Sequence, residues 1–224
     1  MIKEIFFKVW QKIIFREIVS PRPSFSEGED LYRFIDKEDS PLQKAQKICN
    51  LMTQEEKMSL IGGFQWFAVR PIPRLGLNAM WMADASSGVR GVGQSTVFPC
   101  MVSMTATWNR ELIHKAAAVL AEECRAKGIS CLLGPGVNIA RVPTCGRNFE
   151  YMGEDPYLAA EGACAYIDGL QKNGVVATVK HYAVNNSEYD RNKVGSDLDE
   201  RTLREIYLPA FEAAVKKAGV LSVM

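Results

Sequence analysis

The sequence has little histidine, no paired-cysteine motif, no excess of either charge and no apolar run long enough to span a bilayer. Only His114 and His181 accompany the six cysteines, Cys49, Cys100, Cys124, Cys131, Cys145 and Cys164, and no two of these form C-x-x-C. A zinc site therefore has no ligand pattern to build on, and neither a metal nor another cofactor is expected. Free thiols fit a reducing compartment, so the expected location is cytoplasmic. Lys plus Arg number 27 against 26 Asp plus Glu, a net charge of +1. That balance supplies no global field to attract nucleic acid or an anionic membrane, and neither is expected as a partner. Near the N-terminus the longest apolar runs are Ile5-Phe6-Phe7 and Ile13-Ile14-Phe15, too short for a signal-peptide core.

What is present is an ordinary globular balance: 224 residues, 47% hydrophobic and 24% charged, enough for a sizeable core in one or two domains. Ile2, Ile5, Phe6, Val9 and Ile13 recur at helical spacing, so residues 1–19 read as an amphipathic helix. Docking on the main body is the expected role. An interfacial membrane helix is the alternative, disfavoured because a clean charged face is missing. Residues 20–39 open with SPRPSFSEGED and read as a linker.

From Ser40 the pattern becomes regular. Ser40-Pro41 is an N-cap followed by proline in the first turn, and Thr53-Gln54-Glu55-Glu56 is a capping box for a second helix closed by Gly62-Gly63. Short apolar runs at 79–83, 131–133, 175–179 and 220–223 read as strands. Between them, 109–126, 156–171 and 200–217 read as helices. Strands separated by helices of this length imply an α/β fold with a parallel sheet. In such sheets, polar residues just past the strand C-termini converge on the ligand-binding face.

Those positions carry Asp84 after the first strand, Asn138 and Arg141 through Arg147 and Glu150 after the second, and Lys180, His181 and Glu188 after the third. A sugar hydroxyl both donates and accepts. It is held best by a carboxylate that takes its proton beside cations or imidazole that donate to its oxygen. Asp84 would accept while Arg147, Lys180 and His181 donate. Trp66, Phe67 and Trp81 could face the C–H side of a sugar, although aromatic side chains more often fill a core. Each charged residue taken alone also fits a strand-end ion pair, but four of them at three strand ends favour a ligand site.

The segments RVPTCGRNFEYMGEDPYLAAEGACAYIDGLQ, KHYAVNNSE and ERTLREIYLPAFEAAVKKAG, in this order, resemble the N-terminal domain of glycoside hydrolase family 3, the β-glucosidase and β-xylosidase family. The likeness runs from about Leu51 to Met224. It implies a (β/α)8 TIM-type barrel, a retaining mechanism releasing terminal non-reducing β-D-glucosyl or xylosyl residues, and glycone binding by Asp84, Arg147, Lys180 and His181. Glu150 would orient the Arg147 guanidinium, and Glu188 with Arg191 would give the same support to the third loop. It also implies that the nucleophilic aspartate belongs to a later Ser-Asp-Trp-like segment and the acid/base glutamate to a second domain. No catalytic carboxylate is then expected within residues 1–224.

The expected organisation is thus an N-terminal helix over 1–19, a linker over 20–39 and an incomplete barrel domain over 40–224, inactive by itself. Four strands fall short of eight, and exposed sheet edges would favour a homo-oligomer. A β-glucoside or related oligosaccharide is the expected ligand. A non-catalytic sugar-binding remnant of the same fold is the alternative. Nucleotide binding has only Gly134-Pro135-Gly136 in its favour. No third glycine completes a dinucleotide fingerprint, and Pro135 has no N–H to offer a phosphate.

Overall fold

The structure, a computed structural model, describes residues 35–36, 38–85 and 87–224. The expected helix over 1–19 and most of the expected linker over 20–39 lie outside the described residues. The chain divides into two compact units, Met1–Met82 and Ala83–Met224.

In the first unit, α1 (Pro41–Leu51) begins at Ser40, whose hydroxyl accepts from Gln43 N while the Gln43 side chain returns to Ser40 N. Thr53 and Glu56 form the same reciprocal cap for α2 (Gln54–Ile61). Both caps satisfy amides that have no partner within the helix. Strands β1 (Gly63–Phe64) and β2 (Ala68–Val69) form an antiparallel hairpin that continues onto β3 (Met80–Asp84). The hairpin was not apparent from the sequence, because its loop sets Gln65 and Trp66 at positive φ without a glycine. Ile35, Ile48, Ile72 and Leu75 form the apolar core of this unit.

The second unit begins with Ala83–Asp84, the end of β3. Asp84 is therefore the last residue of its strand, one position earlier relative to the strand end than the sequence suggests. A short helix, α3 (Met101–Thr105), leads to α4 (Arg110–Ala126), capped by Asn109. Then come β4 (Cys131–Leu133), α5 (Pro156–Gln171) and β5 (Val176–Val179). Parallel pairing aligns Cys131 with Val176 and Leu132 with Ala177. The final strand, β6 (Ser222–Val223), runs parallel to β5 with Thr178 opposite Ser222. Parallel strands joined by helices make this unit part of a (β/α)8-type barrel, as expected from the sequence.

The predicted helix over 200–217 has a wider interior turn. It starts as α6 (Glu200–Thr202), passes through a π-helical stretch at Leu203–Tyr207 and ends as α7 (Leu208–Lys216). Pro209 has no N–H for the carbonyl of Glu205 and its ring crowds that oxygen, so a wider turn relieves the conflict.

Helix α5 packs against α4 on one side and α7 on another. Its small residues allow the approach: a Cβ on Gly169 would lie 2.5 Å from the backbone oxygen of His114 and 2.7 Å from Ala117 Cβ. Gly169→Ala would gain about 1 kcal/mol of helix propensity. The backbone contact cannot relax cheaply, however, and overpacking costs about 1–3 kcal/mol. Net destabilisation is expected, read as a lower urea midpoint for the 224-residue chain. An unchanged or higher midpoint would contradict this account of the interface.

Candidate functional site

The strand ends of the second unit are held together by backbone as well as by side chains. Beyond the β4–β5 ladder, Lys180 N donates to Pro135 O at 2.9 Å and Val137 N donates to Lys180 O at 2.7 Å. The Gly-Pro-Gly segment therefore serves the strand end. A Cβ on Gly136 would stand 2.7 Å from Glu150 O and 2.9 Å from Tyr151 Cδ1, so glycine lets the 147–151 turn close over β4.

That turn places Glu150 beside Lys180. Lys180 is 2% exposed and Glu150 3%. The Lys180 ammonium lies 3.4 Å from Asp84 Oδ1 and 3.7 Å from Glu150 Oε2. Burying an ammonium is costly unless opposite charge accompanies it, and these two carboxylates supply that charge. The Asp84 side chain remains 48% exposed. It can therefore meet Lys180 and still accept from a hydroxyl arriving from solvent.

Glu150 also pairs through Oε1 with Arg147 Nε. The same guanidinium faces Glu188, with Nη1 3.9 Å from Glu188 Oε1, and Glu188 Oε2 accepts from Arg191 Nη1 at 3.0 Å. Charges thus alternate along a chain from Asp84 through Lys180, Glu150, Arg147 and Glu188 to Arg191. Each cation is oriented by a carboxylate, which fixes its donors in direction.

His181 follows Lys180 and is held by Asn138, a fully buried side chain just past β4. Asn138 Oδ1 accepts from His181 N and Asn138 Nδ2 donates to His181 O, each at 2.9 Å. The imidazole Nδ1 lies 3.1 Å from the Tyr151 hydroxyl, and Asn185 Nδ2 donates to that hydroxyl at 2.7 Å. Burial, helped by the nearby cations Arg147 and Lys180, pulls the His181 pKa down to about 4. The ring is neutral at physiological pH.

Asp84, Arg147, Lys180 and His181 are thereby joined in one network with Glu150, Glu188 and Arg191. Arg141 and Glu154 instead line an open cavity of about 890 Å³ with Phe149, Arg201 and Glu205, and none of the first four residues lines it. Trp66, Phe67 and Trp81 belong to the first unit. The sequence assigned no role to Asn138, Tyr151 and Asn185. Two of them are polar amides within the strand-end segments, which was the available signal. Tyr151 had none, because it looks like a core aromatic and is one.

The strand ends of a barrel-type α/β fold thus bring carboxylates, cations, amides and a neutral imidazole into one cluster. The family model for the glycosyl hydrolase family 3 N-terminal domain matches residues 44–224, and the chain belongs to that family. Thermostable β-glucosidase B of Acetivibrio thermocellus is 45% identical over 190 residues, covering 80% of this chain and 25% of its own length. A β-glucosidase of Rhizobium radiobacter is 48% identical over 183 residues, covering 79% of this chain and 22% of that protein. The structure of β-glucosidase 3B from Thermotoga neapolitana in complex with α-D-glucose superposes with a TM-score of 0.76 at 39% identity, covering 81% of this chain and 29% of that one. The chain spans about a quarter of the length of the curated relatives it matches.

Two consequences of the geometry are measurable. Glu150→Ala removes the carboxylate shared by Arg147 and Lys180, and breaking a buried pair from one side costs about 3–5 kcal/mol. Urea unfolding should show a loss of that order, and a loss below about 1 kcal/mol would make Glu150 a bystander. The depressed His181 pKa also predicts a pH dependence. Above about pH 6.5 both folded and unfolded chains carry a neutral ring and stability is unaffected. Between about 6.5 and about 4 only the unfolded chain takes up the proton, so stability falls with acid. The slope of unfolding free energy against pH in that window should be shallower in His181→Gln, and parallel slopes would show that His181 titrates normally.

Proposed function

We propose that this chain supplies the glycone-binding half of a retaining β-glucosidase-type enzyme that releases terminal non-reducing β-D-glucosyl or xylosyl residues. The observation that carries the reading is the buried Lys180 held between Asp84 and Glu150, with Arg147 and His181 on the same network. Asp84 takes a hydroxyl proton, while Lys180, Arg147 and His181 donate to hydroxyl oxygens. The β-glucosidases among its relatives and the glucose-bound structural neighbour support this choice of ligand.

A retaining glycosidase needs two carboxyl groups about 5–5.5 Å apart across the scissile bond, one free to attack and one to transfer a proton. Glu150 and Glu188 are committed to guanidinium and ammonium groups, which suits them to orienting donors rather than to attack. The family resemblance assigns the nucleophile and the acid/base to segments outside residues 1–224. A reducing, cytoplasmic setting belongs to the same proposal, in keeping with six free thiols.

The test compares a full-length protein containing this chain with its Asp84→Ala variant on an aryl β-glucoside. Losing a charge-assisted, preorganised contact should lower kcat/KM by about 2–4 kcal/mol, roughly 30- to 1000-fold. A loss below about tenfold would overturn the role of Asp84. The 224-residue chain alone should bind glucose and leave the aryl β-glucoside uncleaved. Turnover by the purified chain would require a catalytic carboxylate among the residues given orienting roles.

A further inference from the structure

One line of hydrogen bonds in the site has its direction fixed from one end. Glu188 pairs with Arg191 at 3.0 Å and faces Arg147, and the carboxylate of such a pair only accepts. Asn185 meets Glu188 Oε1 through Nδ2 at 3.1 Å, which settles that the amide turns its NH2 group, not its carbonyl, toward this side. The same Nδ2 lies 2.7 Å from the Tyr151 hydroxyl, so its other N–H donates there. Tyr151 is fully buried, and that burial raises its phenol pKa well above the usual range, so the hydroxyl keeps its proton. Asn185 already donates to its oxygen, so the proton of this buried hydroxyl points to the other hydrogen-bonding neighbour, His181 Nδ1, at 3.1 Å. The Tyr151 and His181 rings meet edge to face with centroids 6.0 Å apart.

An imidazole nitrogen that accepts carries no hydrogen, and in a neutral ring the hydrogen must then sit on the other nitrogen. We infer that Asn185 and Tyr151 are positioning residues that hold His181 as the Nε2–H tautomer and so present a fixed donor to a hydroxyl oxygen of the bound sugar. Neither residue needs to touch the ligand. Arg147, Lys180, Glu150 and Glu188 are the charged groups around the ring, and Arg147 and Lys180 disfavour its protonation. A doubly protonated ring would place a hydrogen on Nδ1 against the Tyr151 proton, so the relay and the neutral state support each other. The ligand part of the inference rests on the glycone reading above. The tautomer does not.

The chain has two histidines, so labelling histidine with nitrogen-15 gives two imidazole patterns, which His114→Gln assigns. In the ligand-free 224-residue chain at neutral pH, His181 should show a single Nε2–H pattern, with its Nδ1 resonance shifted upfield by the accepted hydrogen bond. Asn185→Asp reverses the anchor: a carboxylate accepts from Tyr151, whose oxygen then accepts from the imidazole, and the population should move toward Nδ1–H. If that variant fails to fold, Tyr151→Phe serves in its place, and there the Nδ1 resonance should move downfield to its unbonded position. An Nδ1–H or mixed pattern in the unaltered chain overturns the relay. So does a folded Asn185→Asp chain with the tautomer unchanged, or a Tyr151→Phe chain with Nδ1 unmoved. Adding glucose tests the ligand separately. A shift at His181 Nε2 supports the donor role, whereas no response alongside the correct tautomer defeats the glycone reading and leaves the relay standing.

Discussion

A lysine ammonium taken out of water must be accompanied by opposite charge, and the arrangement of the second unit follows from how Lys180 meets that requirement. Its partners come from separate strand ends: Asp84 closes β3, Glu150 lies in the turn after β4, and Lys180 itself follows β5. One buried charge thereby ties three strand ends together. The turn that carries Glu150 can approach only because Gly136 has no side chain, so the Gly-Pro-Gly segment and the ion pair are parts of one constraint.

The same constraint passes outward through the alternation of charge. Glu150 is shared with Arg147, which faces Glu188, which holds Arg191. Each group is oriented by a neighbour of opposite sign, so none needs a charged ligand to complete it. This is why the ligand we propose is a polyol rather than a phosphate or a carboxylate. A bound anion would have to compete with carboxylates already in place, whereas a hydroxyl can accept from a cation and donate to Asp84 at once.

His181 fits this scheme because it is neutral. Surrounded by Arg147 and Lys180 and withdrawn from water, it favours the uncharged ring, and Asn138 fixes its backbone from the neighbouring strand end. Among the described residues no helix is long and apolar enough to cross a membrane. The longer ones spend their apolar faces on each other, as the contact at Gly169 between α4 and α5 illustrates.

Features that depend on short range can be read from the residues alone. The caps at Ser40 and Thr53 are legible because a cap needs only its own side chain and the next three amides. The runs at 131–133 and 175–179, observed as Cys131–Leu133 and Val176–Val179, are legible because a short, continuous apolar run bounded by turn residues suits a buried parallel strand. Asp84, Arg147, Lys180 and His181 stood out because polar residues past the strand C-termini of such a sheet converge on one face. Which groups meet is set by the packing of the strands. Asp84 and Lys180 are separated by 96 positions in the chain, and Asn138 and His181 by 43. No local pattern encodes such a pairing, which exists only once the strands are in register. Nor could periodicity show that Tyr151, apolar in every local respect, turns its one hydroxyl toward His181. The direction of that hydrogen bond depends on Asn185 and Glu188, which folding brings to it from beyond the next strand.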